Sequence, residues 1–158
     1  MACFVYSQTR ICASVNSGFN RIGLYVDAGA DLDYKRSQFH LGARYYGPDY
    51  FFETDAVGLS ISYQYVFSQN NWFFGPGLSG AVFFKQKKVF SETSLAEILV
   101  RHTVGYEFKS RFSIYTSLGL GTVINTYTNN LGESSNLSYI NYEFSVGFKY
   151  YLRSFTDR

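Results

Sequence analysis

Residues 141–152 read Asn-Tyr-Glu-Phe-Ser-Val-Gly-Phe-Lys-Tyr-Tyr-Leu, ending in the eight residues Ser145-Val-Gly-Phe-Lys-Tyr-Tyr-Leu152. Tyr142, Phe144, Val146, Phe148, Tyr150 and Leu152 share one parity. Asn141, Glu143, Ser145, Gly147, Lys149 and Tyr151 share the other. Successive side chains of a β-strand point to opposite faces, so unbroken period-2 alternation predicts a strand with one apolar and one polar face. An edge strand of a water-soluble antiparallel sheet alternates in the same way, so the rest of the chain has to decide between the two.

Composition narrows the choice. The 158 residues suit one domain. Aromatics make up 20% and charged residues only 16%, against about 25% charged in an average soluble domain. No run of about 18 apolar residues is present to cross a membrane as a helix. A strand-built membrane protein hides its hydrophobicity in every second residue, so a near-neutral mean hydropathy is compatible with one. The net charge of +2 is too small to argue for nucleic acid.

The same alternation recurs along the chain. It predicts strands at Arg21–Leu32 (Ile22, Leu24, Val26, Ala28, Ala30 and Leu32 together), Ser37–Tyr46, Ala56–Phe67, Trp72–Phe84, Leu95–Phe108 and Phe112–Tyr127. Asp33–Arg36, Ser68–Asn71 and Lys109–Arg111 are short connections. Gly47–Asp55, Lys85–Ser94 and Thr128–Leu137 are long and polar. Short turns at one end and long loops at the other is the arrangement of bacterial outer-membrane barrels. The alternation makes Arg21–Leu32 a descending strand, and Thr9–Gly18 supplies the ascending strand before it. The total is eight. Facing Leu32 with Ser37, Phe67 with Trp72 and Phe108 with Phe112 keeps the apolar face continuous across each short turn.

The polar face is rich in small residues: Gly58, Ser60, Ser62, Gly75, Gly77, Ser79, Ser117, Gly119, Gly121, Ser145 and Gly147. Small side chains fit the crowded interior of an eight-stranded barrel. The apolar face ends in aromatics, with Tyr65, Phe67, Trp72, Phe74, Tyr106, Phe108, Phe112, Phe148 and Tyr150 at the short-turn end. Tyr45, Phe84 and Tyr142 lie towards the long loops. Two aromatic girdles around an apolar band are what a membrane-spanning barrel requires. The expected fold is therefore an all-β, eight-stranded antiparallel up-and-down transmembrane barrel over residues 9–158. Residues 1–8 (Met-Ala-Cys-Phe-Val-Tyr-Ser-Gln) read as the remnant of a secretory signal peptide.

The C-terminal segment also resembles the signal by which Gram-negative cells recognise outer-membrane barrels for insertion. Ser145, Gly147, Tyr150 and Leu152 match its polar-x-Gly-x-x-aromatic-x-apolar form, with Phe155–Arg158 trailing it. Over nearly the whole chain the resemblance is to small outer-membrane barrels of the OmpX and OmpA transmembrane-domain type. It implies outer-membrane residence in a Gram-negative bacterium and contact with outer-membrane lipid and lipopolysaccharide. It further implies insertion by the barrel assembly machinery, and other outer-membrane proteins as possible partners.

The interior face collects Asp27, Asp31, His40, Arg44, Glu97, Arg101, Glu107, Glu143 and Lys149. Asp27 lies near-diagonal to both Arg44 and His40. Buried charges need partners, so these read as a salt-bridged plug rather than a conduit. Gly75-Pro-Gly77-Leu-Ser-Gly80 matches a dinucleotide fingerprint in letters alone. It sits inside a strand with no helix after it, and a phosphate cradle needs that helix. Cys3 and Cys12 have no His or Cys at metal-ligand spacing and read as chemically silent; no metal or cofactor is expected. His102 shares parity with the outward Val100 and Val104. Lipid A deacylases are eight-stranded barrels with a membrane-facing His-x-Ser. Here Val104 stands where the nucleophile would be, which argues against an enzyme.

The loop residues Tyr50, Phe51, Phe52, Lys85, Lys87 and Lys88 are the candidates for binding, since loops on a rigid scaffold carry most recognition. The expected function is a non-enzymatic structural or binding scaffold, or a subunit of a larger outer-membrane complex. The alternatives are a lipid A-modifying enzyme and, third, a soluble lipocalin-like ligand carrier.

Overall fold

The computed structural model describes residues 8–48, 55–87, 91–108, 111–129 and 131–156. The strands are β1 (Gln8–Asn20), β2 (Leu24–Tyr34), β3 (Ser37–Tyr46), β4 (Ala56–Tyr65), β5 (Phe67–Gln69), β6 (Trp72–Lys87), β7 (Ser91–Glu107), β8 (Phe112–Asn129) and β9 (Ser134–Thr156). Every pairing is antiparallel between chain neighbours, and β1 pairs with β9. The sheet thus closes on itself, and β4 with β5 forms one strand of an eight-stranded up-and-down barrel.

The break between β4 and β5 has a local cause. Gln64 pairs with Gly77 and Phe67 with Phe74, so Tyr65 and Val66 fall opposite Pro76 and Gly75. Proline has no N–H for the ladder and interrupts a sheet where it stands. Val66 N donates instead to Arg36 O at 2.7 Å. A Cβ at Gly75 would lie 1.7 Å from Tyr65 O, so only glycine lets the two backbones approach this closely. The uninterrupted strand expected over Ala56–Phe67 is corrected accordingly.

Other boundaries also differ from expectation. The Lys85–Ser94 and Thr128–Leu137 connections are mostly strand, because β6, β7, β8 and β9 run on past the barrel rim. The tail after Leu152 is paired as well, with Thr9 opposite Phe155 and Gln8 opposite Thr156. Leu32 faces Phe39 and Phe67 faces Phe74, each two residues from the expected partner. An even shift preserves which face each side chain occupies.

Among the described residues, Ile22 is the one misassigned apolar side chain. Asn20 Oδ1 accepts the N–H groups of Ile22 (2.8 Å) and Gly23 (3.2 Å), closing a tight turn that interrupts the alternation. Ile22 is thereby folded inwards. It joins Tyr25, Tyr46, Ala56, Ala81, Phe83, Leu95 and Val123 in an apolar cluster that stoppers the interior at the long-loop end.

The interior is also less uniformly small than the sequence suggests. Large inward rings sit against glycines: a Cβ at Gly58 would meet the Phe83 ring at 2.6 Å, at Gly105 the Phe73 ring at 2.2 Å, and at Gly147 the Tyr115 ring at 2.3 Å. Each glycine is the space its neighbouring ring needs. The outward face carries the other parity, with Leu41, Ile61, Leu78, Val100, Leu118 and Leu120 all more than half exposed. This is the inverse of a water-soluble barrel, which packs apolar residues inside and shows charge outside.

Candidate functional site

Arg44, at 2% exposure, organises the loop-side half of the interior. It lies directly opposite Asp27 across the β2–β3 ladder rather than diagonal to it. Its Nε donates to Asp27 Oδ2 at 2.9 Å, and its Nη1 to Glu97 Oε1 at 2.5 Å and Glu143 Oε2 at 3.2 Å. Its guanidinium lies 4.2 Å from the Tyr25 ring centre. One cation against three carboxylates is not enough, and Arg101 Nη2 lies 2.9 Å from Glu143 Oε1 as the second. Glu97 further accepts from Asn20 Nδ2 (2.7 Å), Asn141 Nδ2 (3.1 Å) and Tyr46 OH (3.3 Å).

His40 stands opposite Asp31 and reaches past Gly29 to Asp27, four residues along β2, with Nδ1 3.2 Å from Asp31 and Nε2 3.0 Å from Asp27. Ser60 Oγ donates to the same Asp27 oxygen at 3.0 Å. Below them, Lys149 Nζ donates to Gln38 Oε1 at 3.0 Å and lies 3.5 Å from Asp31. At the short-turn end, Arg10 Nη1 donates to Glu107 at 2.7 Å, and Nη2 lies 3.4 Å from Asp33. Tyr151 OH donates to Glu107 at 3.2 Å, and its ring lies 4.2 Å beneath the Arg10 guanidinium.

The nine interior charges picked from sequence thus all take part in ion pairs or charged hydrogen bonds. Glu107 is separate from the Arg44 cluster, at the short-turn rim. Sequence reading passed over Arg10, Asp33 and Gln38, and gave Asn141, which it placed on the polar face, no part in the network. Their parity was the available signal: Arg10 is in phase with Ser14 and Asn16, and Asp33 with Asp27 and Asp31. Among the described residues two water-sized voids are found, one bordered by His40, Gln64, Arg101 and Lys149 and one at the short-turn end by Arg10 and Glu107. Among the described residues no cluster of His, Cys, Asp and Glu forms a metal site, and Cys12 is a buried free thiol. Chemically, this interior holds eight strands in register, and the Ser14 and Ser60 hydroxyls, 3.3 Å and 3.4 Å from the His40 ring nitrogens, belong to the same network.

Outside, aromatic rings touch in series around the short-turn end. Tyr65–Phe67, Phe67–Phe74, Trp72–Tyr106, Tyr106–Phe108 and Phe108–Phe112 have centroids 4.6–5.6 Å apart. His102 is exposed on the outward face, opposite Pro76 on β6 and Leu118 on β8.

At the other end, β6 to β9 rise together as a four-stranded sheet. β9 pairs with β1 only as far as Glu143, whereas its pairing with β8 continues to Ser134. Among the described residues no strand pairs with that side of residues 134–142, where Arg21 Nη1 donates to Ile140 O at 3.3 Å, and the segment carries neither charge nor proline. Tyr50, Phe51, Phe52 and Lys88 lie outside the described residues, as do the side chains of Lys85 and Lys87.

No protein-family model matches this sequence, and no curated protein matches it. Among solved structures, a major outer membrane protein from Thermus thermophilus is similar in fold. It shares 13% identity and a TM-score of 0.50, over 93% of this chain and 99% of the other.

Proposed function

We propose that this chain is a non-enzymatic outer-membrane barrel of the small OmpX/OmpA kind, serving as a rigid scaffold that binds at its long-loop end. The carrying observation is the pairing of an apolar exterior with an ion-paired interior. A wide apolar exterior is costly in water and suits hydrocarbon. The aromatic series at the short-turn end then sits at one membrane interface, with outer-membrane lipid and lipopolysaccharide around the barrel. Tyr150 and Leu152 point outwards (51% and 57% exposed), where assembly machinery reading the C-terminal signal would meet them. The fold shared with an outer membrane protein supports the location.

The full chain folded into detergent micelles is expected to migrate faster on an SDS gel unboiled than boiled. Identical migration, with β-structure retained in plain buffer, would reverse the assignment of inside and outside.

The open edge of β9 supports an extended peptide segment as the partner. An unpaired strand edge presents a row of N–H and C=O groups, and β-strand addition uses them for affinity. A second copy in the same membrane does not fit that edge. It has the same up–down orientation, so a two-fold axis along the membrane normal makes the two tilted edges cross instead of pair. Peptides selected from a displayed library on the vesicle-embedded protein are expected to protect amides within 134–142 from exchange. The N136P variant, which removes one edge N–H, should cost them at least about tenfold in affinity. Equal binding to N136P would exclude the edge.

A further inference from the structure

We propose that the outward face around His102 is a contact between two copies of this chain in the membrane, with the two His102 imidazoles hydrogen-bonded to each other. The inference rests on the membrane reading above.

Two observations carry it. The first is chemical isolation. Along β7 the outward neighbours of His102 are Val100 and Val104, and across the ladders they are Pro76 and Leu118. Among the described outward-facing residues between the short-turn aromatic series and Ser94, His102 is the only Asp, Glu, Lys, Arg or His. None of the described side chains hydrogen-bonds to it. Four residues of tilted strand separate it from Tyr106, which places it about 10 Å above the aromatic series. In an apolar band about 25 Å tall, that is near the middle. A polar group at that depth without a partner is costly in hydrocarbon, where no water reaches it.

The second observation is relief. Pro76 and Gly80 on β6 leave this face low beside the larger Leu78 and Val82. A Cβ at Gly80 would meet only Glu97 O, at 3.3 Å. Small residues let membrane segments approach closely.

Symmetry identifies the occupant. Two copies in one membrane are related by an axis along its normal, so a residue near that axis meets its own counterpart at the same depth. Asp, Glu, Lys or Arg would there face a like charge. A neutral imidazole has one donor and one acceptor nitrogen, so it pairs with its own copy. An acyl chain supplies neither group.

The alanines Ala13, Ala28, Ala30 and Ala43 form a second low-relief patch on β1–β3. No polar group accompanies them, so they serve as the control.

The test uses the full chain with Cys3 and Cys12 changed to Ser, in lipid vesicles, carrying either H102C or A28C. Mild oxidation is expected to link most of the H102C protein into a band of twice the mass and to leave A28C unlinked. In Förster transfer between labelled copies, H102L is expected to weaken association roughly five- to thirtyfold, the range for a membrane hydrogen bond of about 1–2 kcal/mol. H102N, which retains a donor and an acceptor, is expected to restore it. Linking through A28C alone, equal association of H102L and the parent, or H102C linked to a different protein in native membranes would each overturn the proposal. Every variant is first checked for the unboiled gel shift. Loss of the shift in the parent chain would refute the membrane reading, whereas a retained shift with monomers throughout would refute only the dimer.

Discussion

Replacing Arg44 with Met is expected to lower the unfolding free energy of the vesicle-embedded barrel by about 3–5 kcal/mol, the cost of breaking a buried ion pair from one side. The reason is what remains behind. Arg44 holds Asp27, Glu97 and Glu143 on three different ladders, β2, β7 and β9. Without it, Arg101 serves Glu143 and His40 serves Asp27, but Glu97 keeps only neutral donors from Asn20, Asn141 and Tyr46. Met matches the length of the aliphatic stem, so the loss reports charge rather than volume. A second change, E97Q, should recover part of it, since an amide carries no charge to strand. Urea unfolding followed by the fluorescence of Trp72, the only tryptophan, gives both values. A loss under about 1 kcal/mol for R44M would mean that water reaches the cluster and screens it, as at an exposed pair.

That cluster also marks where reading the sequence reaches its limit. Strand identity and the face of each residue were legible because the side-chain period is two and holds across the short turns. Asp27, Arg44, Glu97 and Glu143 could be placed inside from parity alone. Their mutual contacts could not, since Arg44 reaches Glu97 across the interior from β3 to β7, strands that are not neighbours in the sheet. A two-residue uncertainty in a hairpin leaves the face unchanged but turns a directly opposed pair into a diagonal one, as happened for Asp27 and Arg44. Ile22 was misplaced because a side-chain cap, Asn20, closes a turn that parity does not reveal. The long connections were misjudged because Thr128, Ser134 and Asn136 look like loop residues, although Thr126 was placed in a strand. In the structure they form cross-strand hydrogen bonds, Thr126 to Asn136 at 2.8 Å and Thr128 to Ser134 at 2.9 Å, that extend the ladder above the rim.

Whether the exterior faces hydrocarbon is decided most sharply by an arginine placed at two depths. Leu41 lies on β3 between Ala30 and Ile61, 64% exposed and four residues from the short-turn end of its strand. That is about 10 Å up the wall, near the middle of the apolar band. Leu24 opens β2 beside the Arg21–Gly23 turn and is 76% exposed. In a membrane, L41R is expected to cost about 2–4 kcal/mol and L24R about 0–1 kcal/mol, because an arginine near the interface extends its guanidinium into the headgroups. In water the two positions are equivalent: each shows a large apolar side chain to solvent, and arginine at either would be neutral within about 0.5 kcal/mol. The difference between the two variants is therefore the informative quantity, since effects of arginine on the unfolded chain largely cancel in it. A gap of about 2 kcal/mol or more in vesicle unfolding places the apolar band in lipid. Equal, near-zero costs would return the chain to an aqueous setting and leave its exterior in need of a different cover.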